Sequence, residues 1–255
     1  MTKEEEQYLP KVAVAAVDLL GMKALLGKED KATSAMTALV GLRKNSADSR
    51  YYKDKALKSL AGTLYEIEEY FSDSVYFFAD ANIDVGIQVD RLAVKCASLI
   101  AVGLLLYPRG FLVRAGIAVG DLRKKLVQPP QKEPQEIRIG TGMARAHMLQ
   151  ECQEWLGGAV EAEIAPAPKE INRIKYKVPI KDNADFQQCE LEAVNWVYIL
   201  ANEYSNDRGK VIDVVKNSMS QLGNLADWEN ALKLEKTLNF VEYVFSKKEY
   251  LPTLA

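Results

Sequence analysis

The 255-residue chain has few of the residues that build metal or disulfide frameworks, with three cysteines and a single histidine. Cys96, Cys152 and Cys189 are far apart, odd in number and free of any Cys-x-x-Cys spacing, so with His147 they make a poor zinc set. Long hydrophobic runs are also missing. The longest, Cys96 to Tyr107, spans about 12 residues, against the roughly 20 that a membrane-crossing helix needs. There is no excess of positive charge, since 33 Lys and Arg stand against 35 Asp and Glu for a formal charge of -2. A nucleic-acid backbone or an anionic membrane therefore finds no global attraction here. The first residues, Met1-Thr2-Lys3-Glu4-Glu5-Glu6, are acidic and lack the apolar core of a signal peptide. The expectation is a cytoplasmic protein with neither nucleic-acid nor membrane partner.

What is present is an ordinary globular composition, 48% apolar and 27% charged, able to bury a sizeable core. Val12 to Val17 is a short β-branched run ending at Asp18, and a turn at Leu19-Leu20-Gly21-Met22 leads into a helix-compatible stretch. Residues 64–71 and 75–78 read as paired strands, with Ser72-Asp73-Ser74 at the hairpin tip. Apolar side chains then recur at helical intervals from about Val85 to Leu106, until Pro108-Arg109-Gly110 stops them. Phe111 to Val119 predicts a strand closed by Gly120, and the Pro- and Gln-rich segment 128–136 a mobile surface loop. A helix is expected over about 143–155 and strands over 159–164 and 171–178. Helices are expected over 209–222 and 226–245.

The order strand, helix, strand, strand, helix, strand is the split β-α-β unit of ferredoxin-like sheets. It predicts one α+β domain, residues 1–255, with a core over about 10–180 and a C-terminal helical extension over about 207–248.

Asp18 ends a buried strand and Asp73 tips a hairpin, places where two carboxylates can share a cleft and hold a hard cation such as Mg²⁺. The Leu19 carbonyl can add a third oxygen. The alternative stays open that Asp18 caps the following helix and Asp73 is a turn residue. The segment from Leu20 to Lys23 opens a helix, where free N–H groups suit a phosphate chain and Gly21 allows close approach, although simple turn geometry explains that glycine too. Arg114, in an otherwise apolar strand, needs an anion: a substrate phosphate, or Asp18 or Asp73 in an ion pair. His147 reads as a surface or satisfied residue. Trp155 and Trp196 read as core, and Arg123-Lys124-Lys125 as solvated surface.

Four segments then align with a known family. Val17-Asp18-Leu19-Leu20-Gly21-Met22, Phe71-Ser72-Asp73-Ser74, Arg114-Ala115-Gly116-Ile117-Ala118-Val119-Gly120 and Gly140-Thr141-Gly142-Met143-Ala144-Arg145-Ala146 resemble, in order, the signature segments of class III nucleotidyl cyclases, over roughly residues 12–150. The Ser-Asp-Ser tip, the Arg-x-Gly-Ile-Ala-Val-Gly-Asp-Leu strand and the Ala-His-Met-Leu-Gln helix are most similar to the pyrimidine nucleotide cyclases of Pycsar anti-phage defence. The resemblance implies a class III cyclase fold, a βαββαβ core with a mixed sheet. It implies an enzyme that cyclises a nucleoside triphosphate, UTP ahead of CTP, with two Mg²⁺ or Mn²⁺ ions at Asp18, Leu19 and Asp73. Gly21 and Met22 would cradle the phosphates and Tyr70 would touch the base. A head-to-tail homodimer and a separate cyclic-nucleotide-activated effector would be the partners. The chain departs from the purine cyclases at Ala144 and Met148, where that family carries Asn and Arg. The resemblance thus implies that Arg114 or Arg145 takes over the phosphate contact, or that the fold only binds nucleotide. An adenylate or guanylate cyclase and a partner-binding domain are the other expectations.

Overall fold

The computed structural model describes residues 6–20, 67–71, 74–107, 111–127, 135–161, 172–182, 185–186, 190–220 and 227–253. Its strands are β1 (Glu6–Leu20), β2 (Ile67–Phe71), β3 (Ser74–Phe78), β4 (Leu112–Val127), β5 (Gln135–Ile139), β6 (Gly158–Glu161), β7 (Arg173–Lys175) and β8 (Leu191–Val194). Its helices are α1 (Val85–Leu105), α2 (Thr141–Glu151), α3 (Val197–Glu203), α4 (Arg208–Met219) and α5 (Trp228–Ser246). The strands form one mixed sheet in the order β2-β3-β1-β4-β6-β8-β7, with β5 added to the outer half of β4. Only β4 and β6 run parallel among the described pairs.

β1 is buried without interruption from Val12 to Val17 because the sheet is covered on both faces, which removes the usual alternation of apolar and polar residues. Ala13, Ala15, Val17 and Leu19 point to one core with Val75, Phe77 and the buried side of α1. Val12, Val14 and Ala16 point to a second with Tyr76, Phe78, Ala118 and Ala146 of α2. The period of two along each strand thus sorts side chains between the two helix layers. α1 starts where the Asp84 carboxylate accepts from the amides of Gly86 and Ile87.

α2 lies unusually close to the sheet because β4 presents glycine beneath it. A Cβ on Gly116 would sit 2.3 Å from the Ala146 carbonyl oxygen, and one on Gly120 would sit 2.3 Å from the Gly142 nitrogen. Contrary to the sequence expectation, Gly120 does not close its strand; β4 runs on to Val127 and gains β5 as a partner. Residues 135 and 136 belong to that partner rather than to a loop, and 128–134 lie outside the described residues. α2 ends at Glu151, short of Trp155, because Gln153 leaves the helix to bridge Ile180. The strand expected over 171–178 is confined to Arg173–Lys175.

The sheet also continues past residue 180: β8 enters between β6 and β7. α5 packs Phe240 against Trp155, Tyr176 and Trp196, and Trp155 and Trp196 are fully buried as core residues. Cys96 and Cys152 are buried and unbonded, while Cys189 lies outside the described residues. Among the described residues, no helix is long and apolar enough to cross a membrane.

Candidate active site

Near the end of β1, Asp18 pairs with Ser74 of β3 on one side and Arg114 of β4 on the other. All three side chains therefore stand on the face that α2 covers. α2 descends from Gly120 to Gly116 and finishes there, which leaves the Asp18–Arg114 rung just beyond its last turn. Both side chains keep some solvent access, 17% and 16%.

Asp18 Oδ2 accepts from Gln150 Nε2 at 3.2 Å and from Arg114 Nη2 at 3.4 Å, and Oδ1 accepts from the Ser74 hydroxyl at 3.5 Å. Arg114 Nη1 also donates to the Gln153 carbonyl at 2.9 Å. Gln153 in turn donates to the carbonyls of Ala115 (2.7 Å) and Leu149 (3.0 Å) and accepts from the Trp155 indole at 2.8 Å. A guanidinium, one amide and one hydroxyl thus hold a carboxylate at the end of a covered sheet. Tyr76 lies two residues along the same face, and burial, then Glu151, then Asp18 push its phenol pKa up. The His147 ring lies 6.3 Å from the Tyr76 ring, with Nε2 at 3.7 Å from Glu151.

Of the residues singled out in the sequence, Asp18 and Arg114 come together, in the ion-pair alternative open for Arg114. Leu19 buries its side chain on the α1 side, so only its backbone is available to the Asp18 face. Arg145 lies elsewhere within the chain. Its guanidinium forms a two-point pair with Glu161, Nε to Oε1 at 3.0 Å and Nη2 to Oε2 at 2.9 Å. Glu161 stands level with Ala118, four residues up β4 from Arg114, or roughly 13 Å along the strand. Tyr70 lies on β2. Gly21, Met22 and Asp73 lie outside the described residues.

Met148 is exposed and shares a cavity of about 280 Å³ with Glu151, Cys152 and Lys181. Ala144 is exposed on the same helix. Gln150 and Gln153 are the contacts that the sequence reading missed. Their signal is two amides three residues apart on the apolar side of a helix end, where a buried polar group needs a partner.

No protein-family model and no curated protein matches this sequence. Solved structures do match. The dimeric guanylyl cyclase domain of the RhoGC fusion protein from the aquatic fungus Blastocladiella emersonii matches with a TM-score of 0.52 at 12% identity, over 75% of this chain and 97% of that one. The guanylate cyclase domain of RhGC from Catenaria anguillulae, solved with GTP, matches with a TM-score of 0.50 at 11% identity, over 74% and 97%. The adenylyl cyclase CyaB from P. aeruginosa matches with a TM-score of 0.49 at 17% identity, over 74% and 95%. The architecture is that of a class III nucleotidyl cyclase catalytic domain, α+β with a mixed sheet. Identities this low establish the fold alone.

Proposed function

We propose that this chain is a nucleotidyl cyclase that converts UTP into 3′,5′-cyclic UMP and pyrophosphate. The observation that carries the reading is the Asp18–Arg114 rung: a carboxylate and a guanidinium, with partial solvent access, at the end of β1 and β4 in a cyclase fold. The donor set fits a hard cation, since Asp18 and the Leu19 backbone offer oxygen ligands. Asp73, between β2 and β3 in the sequence, completes the proposed set for two Mg²⁺ or Mn²⁺ ions. Such ions, when bound, would acidify the ribose 3′-hydroxyl and neutralise the triphosphate.

In the proposed reaction the 3′-oxygen bonds to the α-phosphorus and loses its proton to solvent, while the bond to the β-phosphate oxygen breaks. Pyrophosphate leaves. Arg114 would turn from Asp18 toward the phosphates and stabilise charge on the transferring group. Gly21 and Met22 amides would cradle the chain, and Tyr70 would contact the base. In a head-to-tail homodimer Arg145 would act from the partner protomer, with two sites per dimer. The Pycsar-like segments support UTP, with CTP as the runner-up, and a product read by a separate effector in anti-phage defence.

Ala144 and Met148 favour a second reading, a fold that binds nucleotide without turning it over. Incubation of the purified protein with ATP, GTP, CTP and UTP in Mn²⁺, beside Asp18→Asn and Asp73→Asn, separates the two. A cyclic pyrimidine nucleotide lost in both variants is the expected result. Cyclic AMP or cyclic GMP alone overturns the pyrimidine assignment, and no cyclic product from any nucleotide favours binding alone.

A further inference from the structure

Beyond β7 the chain runs on beside residues 152–154. The Glu154 amide donates to the Pro179 carbonyl at 3.0 Å, the Lys181 amide donates to the Cys152 carbonyl at 2.8 Å, and Ile180 bridges Gln153 antiparallel. In an extended chain the backbone groups of successive residues point to opposite edges, so those of Val178 and Ile180 point away from 152–154. Neither residue makes a backbone hydrogen bond among the described residues, although Val178 is only 5% exposed. A covered amide and carbonyl left in that way need partners from outside the chain.

Both residues line a cavity of about 620 Å³, whose other apolar walls include Tyr176, Phe186 and Leu191. That volume falls within the roughly 300–1,000 Å³ of pockets that hold organic ligands. Tyr176 is fixed by ring contacts with Trp155 (5.7 Å), Phe240 (4.9 Å) and Tyr243 (5.1 Å), so its wall is preformed. The charges around the cavity balance. Lys236 is paired with Glu154, which leaves Lys177 and Asp182, one of each sign and neither in an ion pair among the described residues. An uncharged occupant suits such a lining better than a polyanion does. An apolar cavity beside a row of unmade backbone bonds is the combination that receives an added strand: main-chain bonds hold the peptide, and the cavity takes alternate side chains.

We infer that an extended, uncharged segment of a protein partner adds to the Val178–Ile180 edge as a strand and seats an apolar side chain in this cavity. The inference goes beyond the cyclase reading and does not rest on it. The docked strand would lie one bridge from Gln153, the residue whose carbonyl holds Arg114.

The test is a titration of the full chain with four blocked pentapeptides, acetyl-Thr-Val-X-Val-Thr-amide with X alanine, valine, leucine or phenylalanine, followed by calorimetry and by amide hydrogen exchange resolved by NMR. In the free chain the Val178 and Ile180 amides are expected to exchange faster than the bonded Lys181 amide. The leucine or phenylalanine peptide should slow both about tenfold or more. N-methylation at X and N-methylation at the two flanking valines should act oppositely, one abolishing binding and the other sparing it, because only alternate residues of an added strand face the edge. Asn239→Trp, at an exposed position of α5 that lines the cavity, should weaken binding about tenfold or more by filling the space. Amides already slow in the free chain, or no protection from any of the four peptides, overturns the inference. Binding that tolerates both N-methylated forms also overturns it and identifies a pocket for small apolar molecules only. Unchanged affinity in Asn239→Trp places the peptide elsewhere and has the same force. No nucleotide or metal enters the titration, so a failed cyclase assay leaves its outcome standing.

Discussion

Gly116→Ala tests how α2 positions the site. The added Cβ would meet backbone only: the Ala146 carbonyl oxygen at 2.3 Å, the Gln150 nitrogen at 2.5 Å and the Gln150 Cα at 3.1 Å. No side-chain rotation relieves such overlap, so the helix must lift by about 1 Å to restore contacts of ordinary length. Lifting forfeits packing beneath Ala146 and Leu149 and draws Gln150 Nε2 beyond hydrogen-bond range of Asp18, from 3.2 Å. Overpacking of this kind costs about 1–3 kcal/mol and the buried hydrogen bond about 1 more, a total of roughly 2–4 kcal/mol. At a urea slope of about 3 kcal/mol/M, the unfolding midpoint should fall by about 1 M with the slope unchanged. Gly209→Ala is the control, because its Cβ would meet only Asp207 Oδ1 at 3.3 Å; it should be neutral or slightly stabilising. A Gly116→Ala midpoint equal to that of the parent would refute the close approach and, with it, the Gln150 link to Asp18.

Arg173, 1% exposed, joins Asp90 of α1 (2.8 Å) to Glu192 of β8 (3.1 Å). Arg173→Met takes the buried cation from between the two carboxylates and should cost about 3–5 kcal/mol in urea unfolding, much of it recovered when Asp90 and Glu192 are also made apolar; a loss below about 1 kcal/mol would count against the triad. Asp121 caps α2 from outside the helix, accepting from the Thr141 amide at 2.9 Å and from the Thr141 hydroxyl, and these bonds, the hydroxyl first, hold its carboxyl below the ordinary value of 3.8. A lowered folded value means stabilisation present above 3.8 and lost as the pH falls through that value. The urea midpoints of the parent and Asp121→Ala should therefore differ at neutral pH and converge in acid; a gap that widens in acid would reverse the assignment.

The elements that declare themselves in the sequence are those with one dominant pattern. α1 carries apolar residues at helical intervals and a capping Asp84, and β1 carries a β-branched run buried on both faces. Asp18 and Arg114 are legible by chemistry, because charge at an apolar strand position needs a partner. Their meeting is legible only as one of several partnerships open to Arg114. It depends on the antiparallel register of β1 and β4, which passes through an irregularity between Leu9 and Val12. β8 escapes notice because Glu192 interrupts a four-residue apolar strand, and its pairing with Arg173 on the neighbouring β7, which helps a buried glutamate to be tolerated there, follows from the sheet order and not from local pattern. Gln150 is hidden for another reason: its reach to Asp18 follows from the height of α2 above Gly116, a distance that no local pattern encodes.

The same network changes the standing of the C-terminal helices. The Arg114 guanidinium is held by the Gln153 carbonyl, and Gln153 is held by Ala115, Leu149 and the Trp155 indole. The Trp155 ring meets Phe240 of α5 edge-on at 4.8 Å, and the next amide, Leu156, donates to Thr237 of α5 at 3.0 Å. A buried amide with every hydrogen bond made is rigid only while its partners stay in place. α5 sets the position of Trp155, Trp155 fixes the Gln153 side chain, and Gln153 fixes Arg114 beside Asp18. The helices that the sequence presents as an extension are therefore part of the scaffold that orients the charged rung of the site.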